Sequence, residues 1–423
     1  MLEISQAVVS GVRNARDNSL MSHRDRIERR LQALWDIALG SGGGADRPAY
    51  SAAEAKAMRL VAGWAQEDGL EPGIDRFGNL WALPGGWDGP VVTGGSHVDT
   101  VPDGGRYDGA LGTVLGLELA AALRDQATAG GARAGLMICA AEEAPRFGAG
   151  TVGSRQLVGT LSSDALTQLH DAQGITIAAA LDEHLKRLGD LPRIEPPLHR
   201  WRAHSEVHVA QRRELRELGV VTTVASPRRL RITVTGESGH AGEVSMAERR
   251  DALAGAAEIV LAIEQAAGAE PPETVATTGT LEVSPGAVSV IPQTATLGID
   301  MRATDGRSLD RLEHAVRDRA AAIGGRRRLD VETVLTRAGE PVELDPGLVS
   351  AALAAATSLR LAARTTWSGA GHDAQHLNAL APALLVFVPL HGGESHTPQE
   401  GANLDEIVHA AMLVEYVFRH LGA

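Results

Sequence analysis

The period of the apolar positions changes along the chain. From about residue 20 to 70 they recur every three or four places, and Arg24 to Leu39 and Ala52 to Glu67 read as two helices. Val91-Val92-Thr93 and Leu136-Met137-Ile138-Cys139 are short continuous apolar runs, as expected of buried strands. The Ala- and Leu-rich stretch Leu111 to Arg124 between them reads as a crossover helix. That strand, helix, strand order predicts a mostly parallel sheet covered by helices. Ser163 to Ala172 and Ile177 to Leu188 add helix to a region of helix and loop from about 160 to 200.

Near residue 229 the pattern turns to strict alternation. Leu230-Arg231-Ile232-Thr233-Val234-Thr235 is that of a half-exposed antiparallel strand. A helix from Arg249 to Gln265, a strand from Glu273 to Val283, an alternating run from Thr294 to Arg302, a helix from Ser308 to Ile323 and a strand from Leu329 to Leu335 follow. Two strand, helix, strand units predict an α+β insert with an open sheet face. After about 338 the earlier pattern returns, with Pro346 to Leu359 helical and Ala383 to Val388 a buried strand. The expected organisation is therefore an α/β domain of mixed, mostly parallel sheet built from 1–225 and 338–423, interrupted by an α+β domain over 226–337. A chain of 423 residues agrees with that, at about 150 residues per domain.

Composition narrows the chemistry. With 44% apolar and 22% charged residues the chain is globular, neither disordered nor fibrous. Lys56 and Lys186 are the only lysines among 40 basic residues, and neither has a supporting motif, which sets aside Schiff-base chemistry and a phosphate-binding loop. A net charge of −13 argues against a nucleic-acid partner, and the basic run Gly325-Arg326-Arg327-Arg328 reads as a solvated turn. Cys139, the single cysteine, reads as a buried, inert thiol. The first twenty residues lack the apolar stretch of a signal peptide, and no run reaches the 18 or so apolar residues of a membrane helix, so a cytoplasmic protein is expected with no membrane partner.

The densest polar cluster, Gly95-Ser96-His97-Val98-Asp99-Thr100 and Gly104-Gly105-Arg106-Tyr107-Asp108-Gly109, follows the first buried strand. Sites in open α/β sheets lie beyond the carboxyl ends of strands. His97 and Asp99, two apart on an extended segment, share a side, so the Asp99 carboxylate is expected to hold the ring in its metal-binding tautomer. The second buried strand runs into Glu142-Glu143, adjacent carboxylates that need a cation or a shared proton. One of them could bind metal while the other takes a proton from water. With His208 and His396, the residues His97, Asp108 and Glu143 would make a two-metal site bridged by Asp108.

Competing motifs are weaker. Gly148-x-Gly150-x-x-Gly153 begins several residues past its strand and reads as a turn into a helix. No Gly-x-Ser-x-Gly elbow occurs. Arg249-Arg250 reads as the exposed start of a helix, and His372 and His391 as hydrogen-bonding residues of glycine-rich loops rather than metal ligands.

The strings GGSHVDTVPDGGRYDGALG, EEAPRFGAGTVGSRQL, EVHVAQ, TVTGESGHAGEVSMAERRDAL, SGAGHDAQHL and FVPLHGGESHTPQE, in that order, resemble the dinuclear-metal amidohydrolases of the M20 peptidase family. The resemblance runs from about residue 25 to 420 and is strongest to the N-carbamoyl-L-amino acid hydrolases, allantoate amidohydrolases and β-ureidopropionases. It implies two divalent metals, one held by His97, Asp108 and His208, the other by Asp108, Glu143 and His396. Glu142 matches the general base and Asp99 the carboxylate that supports His97. His240 matches a histidine that polarises the scissile carbonyl across a dimer interface, so a homodimer is implied. Arg302 matches an arginine that grips the substrate carboxylate; Gln211, Ser289 and the turn Gly369-Ala370-Gly371-His372-Asp373 match substrate-pocket positions.

The chain departs from that pattern at three places. Relatives usually read His-Ile-Glu-Gln-Gly where this chain has His208-Val209-Ala210-Gln211-Arg212; the usual Asn before Val-Ile-Pro is Ser289; the usual Gly-Ser after Glu-Glu is Ala144-Pro145. These changes fall where substrate is chosen. The expected activity is hydrolysis of a linear amide or ureido bond in a small molecule bearing a carboxylate, such as an N-carbamoyl-L-amino acid or allantoate. The alternatives are a dipeptidase or N-acyl amino acid hydrolase, and a non-catalytic binding protein. His and carboxylate ligands suit Zn²⁺, Mn²⁺ or Co²⁺.

Overall fold

A computed structural model describes residues 23–124, 126–391 and 394–422. The first twenty residues, read above for a signal peptide, lie outside the described residues. In chain order the elements are α1 (23–35), α2 (Ala52–Glu67), β1 (Leu70–Ile74), β2 (Leu80–Pro84), β3 (Val91–Gly94), α3 (Ala110–Ala122), β4 (Arg133–Ile138), α4 (Val152–Leu157), α5 (Ser163–Gln168), α6 (Ile177–Arg187), β5 (Trp201–Val209) and β6 (Leu218–Val224). Then come β7 (Arg228–Thr235), α7 (Ala252–Ala267), β8 (Val275–Ser284), β9 (Thr294–Arg302), α8 (Gly306–Arg327), β10 (Asp330–Arg337), β11 (Val342–Glu343), α9 (Pro346–Leu359), β12 (Ala363–Ser368), α10 (Asp373–Leu377), β13 (Ala383–Val388) and α11 (Leu404–Arg419).

The chain divides into two compact units. The first holds the described residues up to Thr222, Leu344–Thr366 and those from Gly371 on; the second holds Thr223–Glu343 and Trp367–Ala370.

In the first unit the strands run β1-β2-β4-β3-β5-β13-β6, with β12 also on β6. β4, β3, β5 and β13 are parallel neighbours, flanked by antiparallel β2 and β6. The sheet is therefore mixed with a parallel centre, as the buried apolar runs imply. α3 is buried from Ala110 to Ala120, which explains why it lacks a polar stripe. Leu111, Val114, Leu117, Val92, Leu136 and Val386 belong to one core, together with α2, α9 and α11. Cys139 is buried beside Trp81, Met137 and Trp201, as expected of an inert thiol. The hairpin β1–β2, closed in antiparallel register from Leu70–Pro84 to Ile74–Leu80, has no counterpart in the periodicity. Its strands are five residues each, and Pro72-Gly73 interrupts the apolar alternation.

In the second unit the sheet order is β10-β7-β9-β8, antiparallel throughout. Leu230, Ile232 and Val234 meet Leu297, Ile299 and Met301 beneath α7 and α8 in a separate core. The short β11 pairs with the end of β6 through Val342–Val224 and Glu343–Thr223. Asp251 and Asp305 cap α7 and α8 by accepting from Ala254 N and Ser308 N. The basic run read as a solvated turn is the end of α8: Arg326 and Arg327 both pair with Glu258, and Arg328 is its left-handed cap. Complementing the carboxyl end of the helix dipole accounts for arginines there. No described helix is long and apolar enough to cross a membrane.

Candidate metal centre and active site

The four parallel strands deliver chemistry at one edge. His97 follows β3, Glu142 and Glu143 follow β4, His208 is the penultimate residue of β5, and His396 lies in the loop after β13. Gly95, at φ 156°, lets the chain pass close to β4, because a Cβ there would stand 1.7 Å from the Met137 carbonyl oxygen. Gly109, at φ 65°, closes the next turn against the His97 ring, where a Cβ would come within 2.4 Å. Asp108 is carried back to His97 by that turn.

The Asp108 carboxylate divides its oxygens. Oδ1 lies 3.4 Å from His97 Nε2 and 3.2 Å from His208 Nε2, while Oδ2 lies 3.3 Å from His396 Nε2. Glu143 Oε1 is 3.8 Å from the same His396 nitrogen. Two groups result, His97 with Asp108 and His208, and Asp108 with Glu143 and His396, each with ligand-type atoms within 4.8 Å of one another. Glu142 Oε2 lies 3.8 Å from His97 Nε2. Gln211 donates to Asp108 Oδ2 at 3.3 Å, and its Nε2 lies 3.2 Å from His396 Nε2. All the expected ligands, the expected base and Gln211 are thus brought together in the first unit.

His372 is buried with its ring edge-on to His208, 4.6 Å between centroids. It forms a third group with Glu206 and His208. Glu206 is already committed: its carboxylate accepts from Ser96 Oγ at 2.7 Å and Ala374 N at 2.8 Å. Neutral donors on both oxygens make this group a poorer metal cradle than the other two.

The remaining expected residues lie in the second unit. His240 Nδ1 accepts from Gly242 N at 3.1 Å, which leaves the ring proton on Nε2 as a donor. Val290 forms a bridge with His240, and the Ser289 carbonyl accepts from Ala241 N at 2.9 Å. Arg249, expected at an exposed helix start, precedes α7 and donates to the Ala241 and Val244 carbonyls, framing that same turn. Arg302 donates to Asp300 at 2.7 Å and to the Gly369 carbonyl.

Residues 94–420 match Peptidase family M20/M25/M40. The chain belongs to this family. It is 32% identical over 392 residues to an N-carbamoyl-L-amino acid amidohydrolase of Geobacillus stearothermophilus, covering 91% of this chain and 95% of that one. It is 30% identical over 395 residues to the allantoate amidohydrolase of Bacillus subtilis (strain 168), covering 90% and 93%. A crystal structure of an amidase of the hydantoinase/carbamoylase family from Burkholderia multivorans superposes with a TM-score of 0.81 at 32% identity, over 93% of this chain and 97% of that one. Membership and relatives together make the protein an amidohydrolase, an enzyme acting on C–N bonds.

The residues of this M20 centre fit divalent cations. His97 Nδ1 lies 3.0 Å from the Asp99 carbonyl oxygen and His208 Nδ1 lies 3.2 Å from that of Val209. A carbonyl only accepts, so each ring carries a proton on Nδ1 and turns Nε2 towards Asp108. With the rings neutral, as ligation of a cation requires, these Nε2 lone pairs face the carboxylate and call for positive charge between them. His97 Nε2 and Glu143 Oε1 are moreover buried with no hydrogen-bond partner among the described residues. His and carboxylate donors of this kind suit Zn²⁺ or Mn²⁺.

The electrostatics make the same demand. Burial lifts Glu142 well above the usual carboxylate range, opposed by His97 and reinforced by the neighbouring carboxylates Glu143, Asp373 and Asp99. Burial, with Asp108 beside it, lifts Glu143 to about 7. Burial also opposes an ionised Asp108, yet His208, His396 and His97 together hold it well below the ordinary value. His396 is pulled up to about 9, first by its contact with Asp108.

Asp99 meets the His97 ring through both its carbonyl and its carboxylate. The nearest partner of the His97 ring is the Asp99 carbonyl, and the carboxylate stands further off at 3.4 Å. That carboxylate also accepts from Glu142 N at 3.1 Å and Glu143 N at 2.9 Å, so Asp99 aims the two glutamates as well. Glu54, absent from the sequence reading, does similar work: it accepts from Ala141 N at 2.9 Å and from Tyr50 N, holding Ala141 at φ 54° just before Glu142. Its only sequence signal is the pair Ser51 and Glu54 at the start of α2, which reads as a helix cap. Of the departures from the family, Ala210 is buried and Arg212 pairs with Glu214 two residues on.

Proposed function

We propose that the protein hydrolyses the ureido or linear amide bond of a small carboxylate-bearing substrate, an N-carbamoyl-L-amino acid or an allantoate-like molecule. The observation that carries this reading is the division of the Asp108 carboxylate between two histidine-containing groups with Glu142 beside them. Two divalent ions, zinc or manganese with cobalt as a third option, are assigned to them: His97, Asp108 and His208 hold one, Asp108, Glu143 and His396 the other. When bound, such ions acidify a water and polarise the scissile carbonyl.

The chain's own residues do the rest. Glu142, lifted by its burial, takes a proton from the attacking water and returns it to the leaving nitrogen. His240, with its proton on Nε2, donates to the developing oxyanion. Arg302 takes the substrate carboxylate in its planar fork. Gln211, Ser289, Gly369 and His372 are assigned to the substrate pocket, and the second unit to dimerisation of the chain. For an N-carbamoyl amino acid and one water, the products are the amino acid, ammonia and carbon dioxide.

The test is a panel of N-carbamoyl amino acids, allantoate, N-acyl amino acids and dipeptides with added Zn²⁺ or Mn²⁺. Ammonia release from the ureido substrates is expected to dominate. Amino-acid release confined to dipeptides or N-acyl substrates would overturn the substrate class.

A further inference from the structure

Glu400 lies outside the residues assigned above, yet it touches both loops that build the centre. It is buried at 6% exposure. Its Oε1 accepts from Tyr107 N at 2.7 Å and from Asp108 N at 3.0 Å. Its Oε2 lies 3.1 Å from Ser395 Oγ, and that hydroxyl also lies 3.0 Å from Asp108 Oδ2. Its own position is set by the turn from Thr397, whose carbonyl accepts from Glu400 N at 3.1 Å, and by His391 N bonding to Gly401 O at 2.7 Å. Gly105 completes the seat, since a Cβ there would stand 2.2 Å from the Glu400 carboxyl carbon and 2.3 Å from both oxygens.

The arrangement has a physical reason. Asp108 sits on an irregular loop where strand pairing cannot take up the backbone N–H groups of residues 107 and 108. Leaving such donors buried and unpaired is costly. One carboxylate serves both donors and, through the Ser395 hydroxyl, links them to the residue preceding His396. We propose that Glu400 is a positioning residue, which sets the Asp108 carboxylate against His396 by bracing the two loops on one side chain. The role rests on the reading of this centre as a metal site.

The test compares purified full-length wild type with Glu400→Ala and Glu400→Gln. Binding of Zn²⁺ and of Mn²⁺ is measured by equilibrium dialysis with elemental analysis, next to kcat and KM. Glu400→Ala is expected to weaken binding of one metal equivalent by about 10- to 100-fold, the usual range for supports of ligands, and to lower kcat more than it raises KM. Glu400→Gln is expected to restore both, because its amide oxygen still accepts the two N–H groups and its amide nitrogen donates to Ser395. Unchanged metal binding by Glu400→Ala, or a Glu400→Gln enzyme as impaired as Glu400→Ala, would overturn the positioning role alone. A wild-type chain that takes up no divalent metal would overturn the metal reading and this role with it. Should Glu400→Ala not fold, Gly105→Ala decides the matter, because its methyl group displaces the carboxylate without removing it. The same loss of one metal equivalent supports the role, and wild-type binding overturns it.

Discussion

Asp108 Oδ2 and His396 Nε2 lie 3.3 Å apart, although about two thirds of the chain separates them in sequence. The other oxygen of the same carboxylate faces His97 and His208. This single side chain joins the two groups of the centre, which makes it the most exposed point of the functional reading.

Asp108→Asn removes the charge that balances three imidazoles while keeping the shape. Metal content is expected to fall by at least one equivalent per chain, and activity to below about 1% of wild type, beyond the loss typical of supporting residues. Elemental analysis of the dialysed variant checks the first and steady-state kinetics the second. Retention of both metals would remove Asp108 from its bridging role.

Glu142→Gln keeps the size of the side chain and abolishes its basicity. With Glu142 as the proton carrier, kcat should drop by about 10²–10⁴-fold while metal content persists. Undiminished turnover would exclude Glu142 as the base.

Arg302→Lys keeps the charge and loses the planar fork that can grip a carboxylate with two hydrogen bonds. A rise in KM of about tenfold or more is expected for carboxylate-bearing substrates, corresponding to about 1.4 kcal/mol or more of binding. The amide of the same substrate, lacking the carboxylate, should show almost no difference between the variant and wild type. An equal effect on both would point to a structural role through Asp300 and Gly369.

Acid stability is expected to depend on His204, buried against Trp201 and hydrogen-bonded to Thr93 at 2.9 Å. Burial lowers it to about 3, against about 6.5 for an exposed histidine. The folded value is depressed, so the unfolded chain takes up the proton first. The neutral ring's contribution is whole above pH 6.5 and is lost as pH falls from there towards 3, at about 1.4 kcal/mol per pH unit. His204→Gln should flatten that loss by about 2 kcal/mol at pH 5 relative to pH 7 in denaturant titrations, whatever its effect at neutral pH. Parallel stability curves for variant and wild type would contradict a neutral buried His204.

Local pattern carried much of the architecture. α2, α9 and β13 start and end where the periodicity of Ala52–Glu67, Pro346–Leu359 and Ala383–Val388 places them. Each owes its boundaries to neighbours in sequence: Ser51 and Asp345 cap the two helices, and β13 is a continuous apolar run. The hairpin β1–β2 escaped because five-residue strands containing Pro72 and Gly73 leave too few positions to define a period.

The same division runs through the site. His97, Glu142, Glu143 and His208 could be picked out because polar ligand-type residues at the end of a buried strand are costly anywhere else. Which of them meet, and through which atoms, follows from the neighbour order β4-β3-β5-β13, a property of the folded sheet and not of any window of sequence. The carboxylates of Asp99, Glu54 and Glu400 show the limit most clearly. Each acts by accepting backbone N–H groups from a distant loop, and a backbone N–H is common to every residue but proline, so no local pattern marks its partner. Residue chemistry named the candidates; the packing of parallel strands and the pairing of buried backbone donors arranged them into a centre.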